Sequence, residues 1–325
     1  RAEAVHSPRY FEPEGGLSGD RETATAQSVA EFLRREGVQE VVADRTLPMI
    51  YAHYIETAGI GVVCDPEMWI AERRAKDEKE VAALRRCQRI TEETVAMACE
   101  MVAGAEAGKG GVLVRDGSTL TSERVREAID VHLLRQGFAN GPCIVAGGAE
   151  GADPHNRGSG ELRTGEPVII DVFPMDRETK YNGDCTRSVV HGDVPDEIAR
   201  AHDTVVRAKK AAIDATRAGA TGDDVHRATM GVIEGDGYGM GAGDGPERDD
   251  ARMVHGTGHG VGLEVHEPPL LDLGGPEFVV GDCLTVEPGL YCPRWGGIRV
   301  EDMVIVTEDG CENLNGIGEW VEWRH

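Results

Sequence analysis

Two stretches of this chain repeat each other, and that repetition constrains the fold more than any other feature. Gly165-Glu-Pro-Val-Ile-Ile-Asp171 and Gly281-Asp-Cys-Leu-Thr-Val-Glu287 each run from a turn glycine through an apolar strand to an acid. A second strand in each half then carries Asp184, in Gly-Asp-Cys-Thr-Arg, or Glu301, in Arg-Val-Glu-Asp. Upstream the halves stay in step. Each has a long helix (81–103, then 196–217), a glycine-containing turn, and a shorter helix carrying Val125 or Val225 that closes on Gly137-Phe138 or Gly237-Tyr238. Such a chain folds, from about residue 80 onward, as two equivalent halves about a pseudo-twofold axis.

The text before the duplication is different. Residues 1–20 are polar and rich in turn formers, which predicts an irregular start. Helix (Glu22–Glu36), strand (Glu40–Ala43), helix (Leu47–Thr57) and strand (Gly61–Cys64) follow, the alternation of a small α/β domain with a partly parallel sheet that is incomplete at two strands. Asp65-Pro66 and the charged run Glu72–Glu80 mark the boundary, so the expected domains are 1–76 and 77–325. The helix that opens the second domain buries the stripe Val81, Leu84, Cys87, Thr91, Val95, Ala98 and Val102, spaced as one helical face requires.

Charge and cysteine content exclude several classes of function. Against 58 acidic side chains stand 34 basic ones, a net charge of −24, and no Lys/Arg cluster breaks the pattern. Such a surface repels phosphates, and nucleic acid is not an expected partner. The cations are 28 Arg and 6 Lys, a bias that with so many carboxylates fits a halophilic cytoplasmic protein, since molar salt shrinks the Debye length to about 3 Å. The 8 cysteines show no C-x-x-C spacing and read as reduced structural thiols. No apolar stretch approaches the roughly 20 residues of a membrane span, and no signal-peptide pattern opens the chain, which begins at Arg1 without methionine.

Asp171 and Glu287 end strands whose apolar text says buried, and an unpaired anion there costs several kcal/mol. If the halves pack about their axis, Asp171, Asp184, Glu287 and Glu301 converge, and four carboxylates at one point suppress each other's ionisation unless cations lie between them. Two divalent metals balance that charge. An imidazole is available in His255-Gly-Thr-Gly-His259-Gly-Val-Gly-Leu-Glu-Val-His266, where the glycines leave His259 room to reach a metal. Oxygen and imidazole donors without thiolate favour Mn²⁺, Co²⁺, Fe²⁺ or Zn²⁺, and a pair of such ions activates water and polarises a carbonyl, the requirements of amide hydrolysis.

These residues resemble the pita-bread metallopeptidases, the family of Xaa-Pro dipeptidase (prolidase), aminopeptidase P and methionine aminopeptidase, with creatinase as a non-peptidase relative. The resemblance covers roughly residues 80–320, with five ligand positions in order. It implies an α+β pita-bread (creatinase/aminopeptidase) fold with a pseudo-twofold internal duplication, preceded by a short, incomplete α/β N-terminal domain of the kind that the Xaa-Pro branch carries. It implies a dinuclear exopeptidase cleaving the bond before proline in small peptides, using two ions, Mn or Co ahead of Zn or Fe, in a homodimer. Carried over, Asp171 would bind one metal and His259 the other, and Asp184 and Glu301 would serve both. Glu287 would bind beside His259 and act as general base. His155 would sit near the scissile carbonyl or amine, His266 would steady the oxyanion, and His255 would line the pocket on the proline side. Arg299 would hold a metal carboxylate or touch substrate.

The chain departs from the family pattern in its short N-terminal domain, a hairpin between Asp171 and Asp184 that is two residues longer than usual, Phe173 where a small residue is common, and the acidic, glycine-rich loop Gly237–Ala251, read as a surface insertion. A creatinase-like C–N hydrolase and a catalytically silent pita-bread domain binding peptides or protein partners are the alternatives, and both conflict with the full ligand set. Glycines 256, 258, 260 and 262 fail the G-x-G-x-x-G spacing of a nucleotide loop. Cys185 and Cys283 read as packing residues, Glu267 and Asp302 as solvated or supporting acids, and His6, His53, His132, His191, His202, His226 and His325 as surface or structural.

Overall fold

The computed structural model describes residues 7–241 and 250–323. His6, His325, the first six residues of the expected irregular start and most of the acidic loop Gly237–Ala251 lie outside the described residues. The chain divides into two compact units, Arg1–Glu72 and Arg73–His325.

In the first unit, Asp20 caps the helix Arg21–Arg35 by accepting from the Thr23 amide at 2.8 Å. The strands Glu40–Ala43 and Gly61–Cys64 pair in parallel, and the helix Met49–Thr57 makes the crossover that parallel pairing requires. Ala30, Ile55 and Ile60 form its small core.

The second unit contains both halves of the duplication. Its long helix, Glu78–Ala103, starts three residues before the apolar stripe because a capping box begins it: the Asp77 carboxylate accepts from the amides of Lys79 and Glu80, and Glu80 reaches back to the Asp77 amide. Leu84, Cys87, Thr91, Val95, Ala98 and Val102 are buried as the stripe requires, and Val81, in the first turn, is half-buried. The equivalent helix of the second half is Asp196–Ala215, and the shorter pair are Ser122–Arg135 and Gly222–Gly235, with Val125 and Val225 both fully buried. The repetition extends to the backbone. Gly137 and Gly237 both have φ of 85°, and Gly165 and Gly281 have φ of 77° and 93°, left-handed turns that only glycine adopts freely.

Each half contributes an antiparallel sheet behind its helices. The first orders Cys185–Val190, Pro167–Val172 and Ile144–Gly147. The second orders Glu267–Leu271, Gly258–Gly260, Cys283–Val286, Asp302–Val306 and Cys311–Asn313. A further sheet includes Gly289–Cys292 paired with Gly296–Arg299. The strands Pro167–Val172, Cys185–Val190, Cys283–Val286 and Asp302–Val306 are buried along their whole length, and this explains why they read as apolar runs rather than alternations. Among the described residues no helix is long and apolar enough to cross a membrane.

Candidate metal and substrate site

Strand register decides where the acids point. In the first half Thr186 pairs with Asp171, and Asp184 lies two residues before Thr186, so the two acids share a face. In the second, Val286 pairs with Asp302, so the residues just beyond, Glu287 and Glu301, continue that register towards one another. The hairpin between Asp171 and Asp184 closes on a turn in which Asp176 accepts from the Lys180 amide and, through its carboxylate, from the Glu178 amide and the Thr179 hydroxyl.

Asp171, Asp184, His259, Glu287 and Glu301 all line one cavity of about 450 Å³, together with His155, His255, His266 and Arg299. Donor atoms of Asp184, His259 and Glu301 lie within 4.8 Å of one another. His259 Nε2 is 3.4 Å from Glu287 and 3.9 Å from Asp184. Its Nδ1 faces the Gly260 carbonyl at 3.0 Å, an oxygen that can only accept, so Nδ1 carries the proton and Nε2 presents a lone pair to the acids. Gly258 makes that placement possible: a Cβ there would lie 2.1 Å from the Thr285 carbonyl oxygen.

The electrostatics are those of acids crowded out of water. Burial, then the neighbouring carboxylates Glu301, Asp171 and Glu287, push Asp184 well above the usual carboxylate range. Burial and then Glu287 and Asp171 do the same to Glu301, while burial raises Glu287 to about 7. Burial, aided by His266, lowers His259 to about 4, so its ring is neutral at pH 7. One anion is already partnered. Arg299 Nη2 donates to Asp171 Oδ2 at 2.6 Å, whereas Asp171 Oδ1 is buried with no hydrogen-bond partner among the described residues. An orphaned carboxylate oxygen beside a cluster of two further acids and an imidazole fits the donor set that a divalent cation takes.

The histidines occupy different depths. The His266 ring stands 4.2 Å from that of His259 between centroids. His255 is tied by Nδ1 to the Gly256 carbonyl at 2.7 Å, so its Nε2 accepts from the Tyr291 hydroxyl at 2.7 Å. Burial, then Arg299, lowers its pKa to about 4. His155 is exposed on the rim. Phe173 also lines the cavity and lies against Gly141, where a Cβ would be 2.9 Å from its ring.

Several contributors went unrecognised in the sequence. Tyr291 accepts from Arg299 at 2.8 Å and joins it to His255. Thr186 donates to Glu301 at 2.7 Å and accepts from Arg299 Nε at 3.3 Å. Gln88 on the long helix grips the backbone of Asp184 from both sides, at 2.7 and 3.0 Å. Strand parity with Asp184 marks Thr186 in the sequence, but nothing local marks Gln88. Glu267 and Asp302 correct the expectation of solvation. Both are buried, Glu267 between Arg73 and Lys76 and Asp302 between Arg187 and Lys209, because cations distant in sequence neutralise them. Burial raises the Cys283 thiol to about 12 and lifts Cys185 likewise, which removes both as nucleophiles.

A twofold pair of helix-backed sheets closing on an acidic, histidine-bearing cavity defines a pita-bread metallopeptidase. The chain belongs to metallopeptidase family M24, whose model matches residues 82–308. Its relatives include the probable dipeptidase PepE of Mycobacterium tuberculosis, 38% identical over 175 residues that make up 53% of this chain and 43% of that protein. The Xaa-Pro dipeptidase of Pyrococcus horikoshii is 29% identical over 247 residues, 74% of this chain and 62% of its own. The chain therefore spans about two-fifths to three-fifths of the length of these curated relatives. Among solved structures, the prolidase from Pyrococcus horikoshii OT3 superposes with a TM-score of 0.77 at 25% identity, covering 90% of this chain and 79% of that one.

Proposed function

We propose that the chain hydrolyses Xaa-Pro bonds in short peptides with two divalent ions, Mn²⁺ or Co²⁺, held by Asp171, Asp184, His259, Glu287 and Glu301. The observation that carries this reading is the convergence of Asp184, His259 and Glu301 donors within 4.8 Å, in a cavity shared with the other two acids. When bound, the ions supply Lewis-acid polarisation of the scissile carbonyl and a low-pKa water. The chain's own residues do the rest. Glu287, in the cavity wall 3.4 Å from His259, takes the proton of the attacking water. His266, beside His259, donates to the oxyanion, and His155 at the rim meets the peptide near the scissile bond. Arg299 and Tyr291 fix Asp171 and His255 in place, so the proline-side wall and one metal ligand share a single hydrogen-bonded support.

The test is turnover of a Xaa-Pro dipeptide and a Xaa-Pro-Yaa tripeptide side by side with Mn²⁺ or Co²⁺ in high salt, with metal analysis of the purified protein. Two bound ions and chelator-sensitive cleavage are expected. Cleavage that persists after chelation, or a protein that binds no manganese at saturation, sinks the proposal, and creatine turnover would favour the C–N hydrolase instead.

A further inference from the structure

One wall of the cavity is built by the strand Glu267–Leu271 and the residue that follows it. Leu270 pairs directly with His259, so the two side chains share the face that looks into the cavity. Asp272, two residues further on, continues that face about 7 Å along the strand direction and also lines the cavity. Leu270 is 59% exposed, an apolar side chain presented to the cavity rather than to a core.

Among the described residues, Asp272 carries the one carboxylate of the cavity wall that stands outside the ligand set. Two divalent ions offset the charges of Asp171, Asp184, Glu287 and Glu301, and the charge of Asp272 is left over. No Lys or Arg pairs with it among the described residues, and the His226 ring, 3.5 Å from its Oδ1, is kept neutral by burial. The carboxylate is nevertheless held in place. Its Oδ1 accepts from the Leu273 amide at 2.7 Å, and the Asp272 carbonyl accepts from the Gly275 amide at 2.8 Å. Gly256 leaves room for it, since a Cβ there would lie 3.2 Å from both Cβ and Cγ of Asp272. The side chain is half-exposed, and Oδ2 makes no hydrogen bond among the described residues.

We propose that Asp272 binds a cationic side chain of the substrate, the lysine or arginine that follows proline, and so makes the site favour Xaa-Pro-Lys and Xaa-Pro-Arg peptides over neutral ones. This deepens the peptidase reading and rests on it. Gly256, against which Asp272 packs, adjoins His255 of the proline-side wall, so Asp272 meets what lies beyond proline. The α-ammonium of the substrate lies on the other side of the scissile bond. Lysine and arginine suit this wall because their apolar stems lie along Leu270 while the charged head reaches the free Oδ2 of Asp272. A neutral side chain of the same length keeps the apolar contact and loses the charge-assisted one, and an acidic side chain is repelled.

The experiment compares Ala-Pro-Lys, Ala-Pro-norleucine, Ala-Pro-Glu and Lys-Pro-norleucine as substrates of the manganese-loaded protein at one fixed KCl concentration. Calorimetry measures the binding of Pro-Lys and Pro-norleucine. Both are run on the unaltered chain, Asp272→Asn and Asp272→Lys. The unaltered protein should favour Ala-Pro-Lys over Ala-Pro-norleucine by about 10-fold in kcat/KM, mainly through KM, and bind Pro-Lys about 10-fold more tightly than Pro-norleucine. Asp272→Asn should bring both ratios to unity. Asp272→Lys should reverse the preference and make Ala-Pro-Glu a better substrate than Ala-Pro-Lys, a gain that a misfolded protein cannot show. Ratios that are the same in the unaltered chain and Asp272→Asn overturn the proposal, as does a loss in Asp272→Asn that falls on Lys-Pro-norleucine instead. If the unaltered chain cleaves none of these peptides, the Xaa-Pro reading fails separately, and the calorimetry alone decides for or against Asp272.

Discussion

Thr186 is fully buried and joins two functional groups through one hydroxyl, donating to Glu301 and accepting from Arg299, which in turn holds Asp171. Thr186→Val keeps the shape and removes that junction. Supporting hydrogen bonds of this kind tune a metal ligand by about 10- to 100-fold in affinity, so manganese titration should show a loss of that size while far-UV circular dichroism stays native. An unchanged affinity would mean that Glu301 is held by packing alone. Asp171, Asp184, Glu287 and Glu301 were legible from their repeated context, because a strand-end acid that recurs after the same turn glycine has a reason beyond local capping, and His259 from the glycines that flank it. Gln88 and Tyr291 were not, since each acquires its role only from a partner far away in sequence.

At the scale of elements, the helix Glu78–Ala103 supplies Gln88 to the site and depends on its first turn for a defined start. Asp77→Ala removes the acceptor of the Lys79 and Glu80 amides, and denaturant unfolding should show a loss of about 1 kcal/mol. A larger loss would point to a further role for Asp77. The helix Asp196–Ala215 carries a pH-sensitive group away from the cavity. His202 Nε2 is buried without a partner among the described residues, and burial lowers the pKa of the ring below its usual value. The unfolded chain, with an imidazole near pKa 6.5, therefore takes up the proton first as pH falls. Stability contributed by the neutral ring is complete above about pH 6.5 and declines from there towards the lower folded-state value. His202→Gln should flatten this part of the stability profile, and an identical slope in both proteins would assign the acid sensitivity elsewhere.

The whole molecule carries a net charge of −24, and its self-repulsion is screened over about 10 Å at 0.1 M salt but about 3 Å at 1 M. The denaturation midpoint should accordingly rise between 0.1 M and 2 M KCl, and a midpoint indifferent to salt would remove the case for a halophilic protein. By itself the sequence determined the helical faces, the buried strands and the duplication, because these are written in local periodicities of apolar residues and in glycines whose turns recur. Only the tertiary structure decided that Asp302 and Glu267 are buried ion-pair partners and that Asp171 shares its charge with Arg299. The reason is physical: the energy of a charge is set by what surrounds it in three dimensions, and those surroundings come from segments up to about 190 residues apart along the chain.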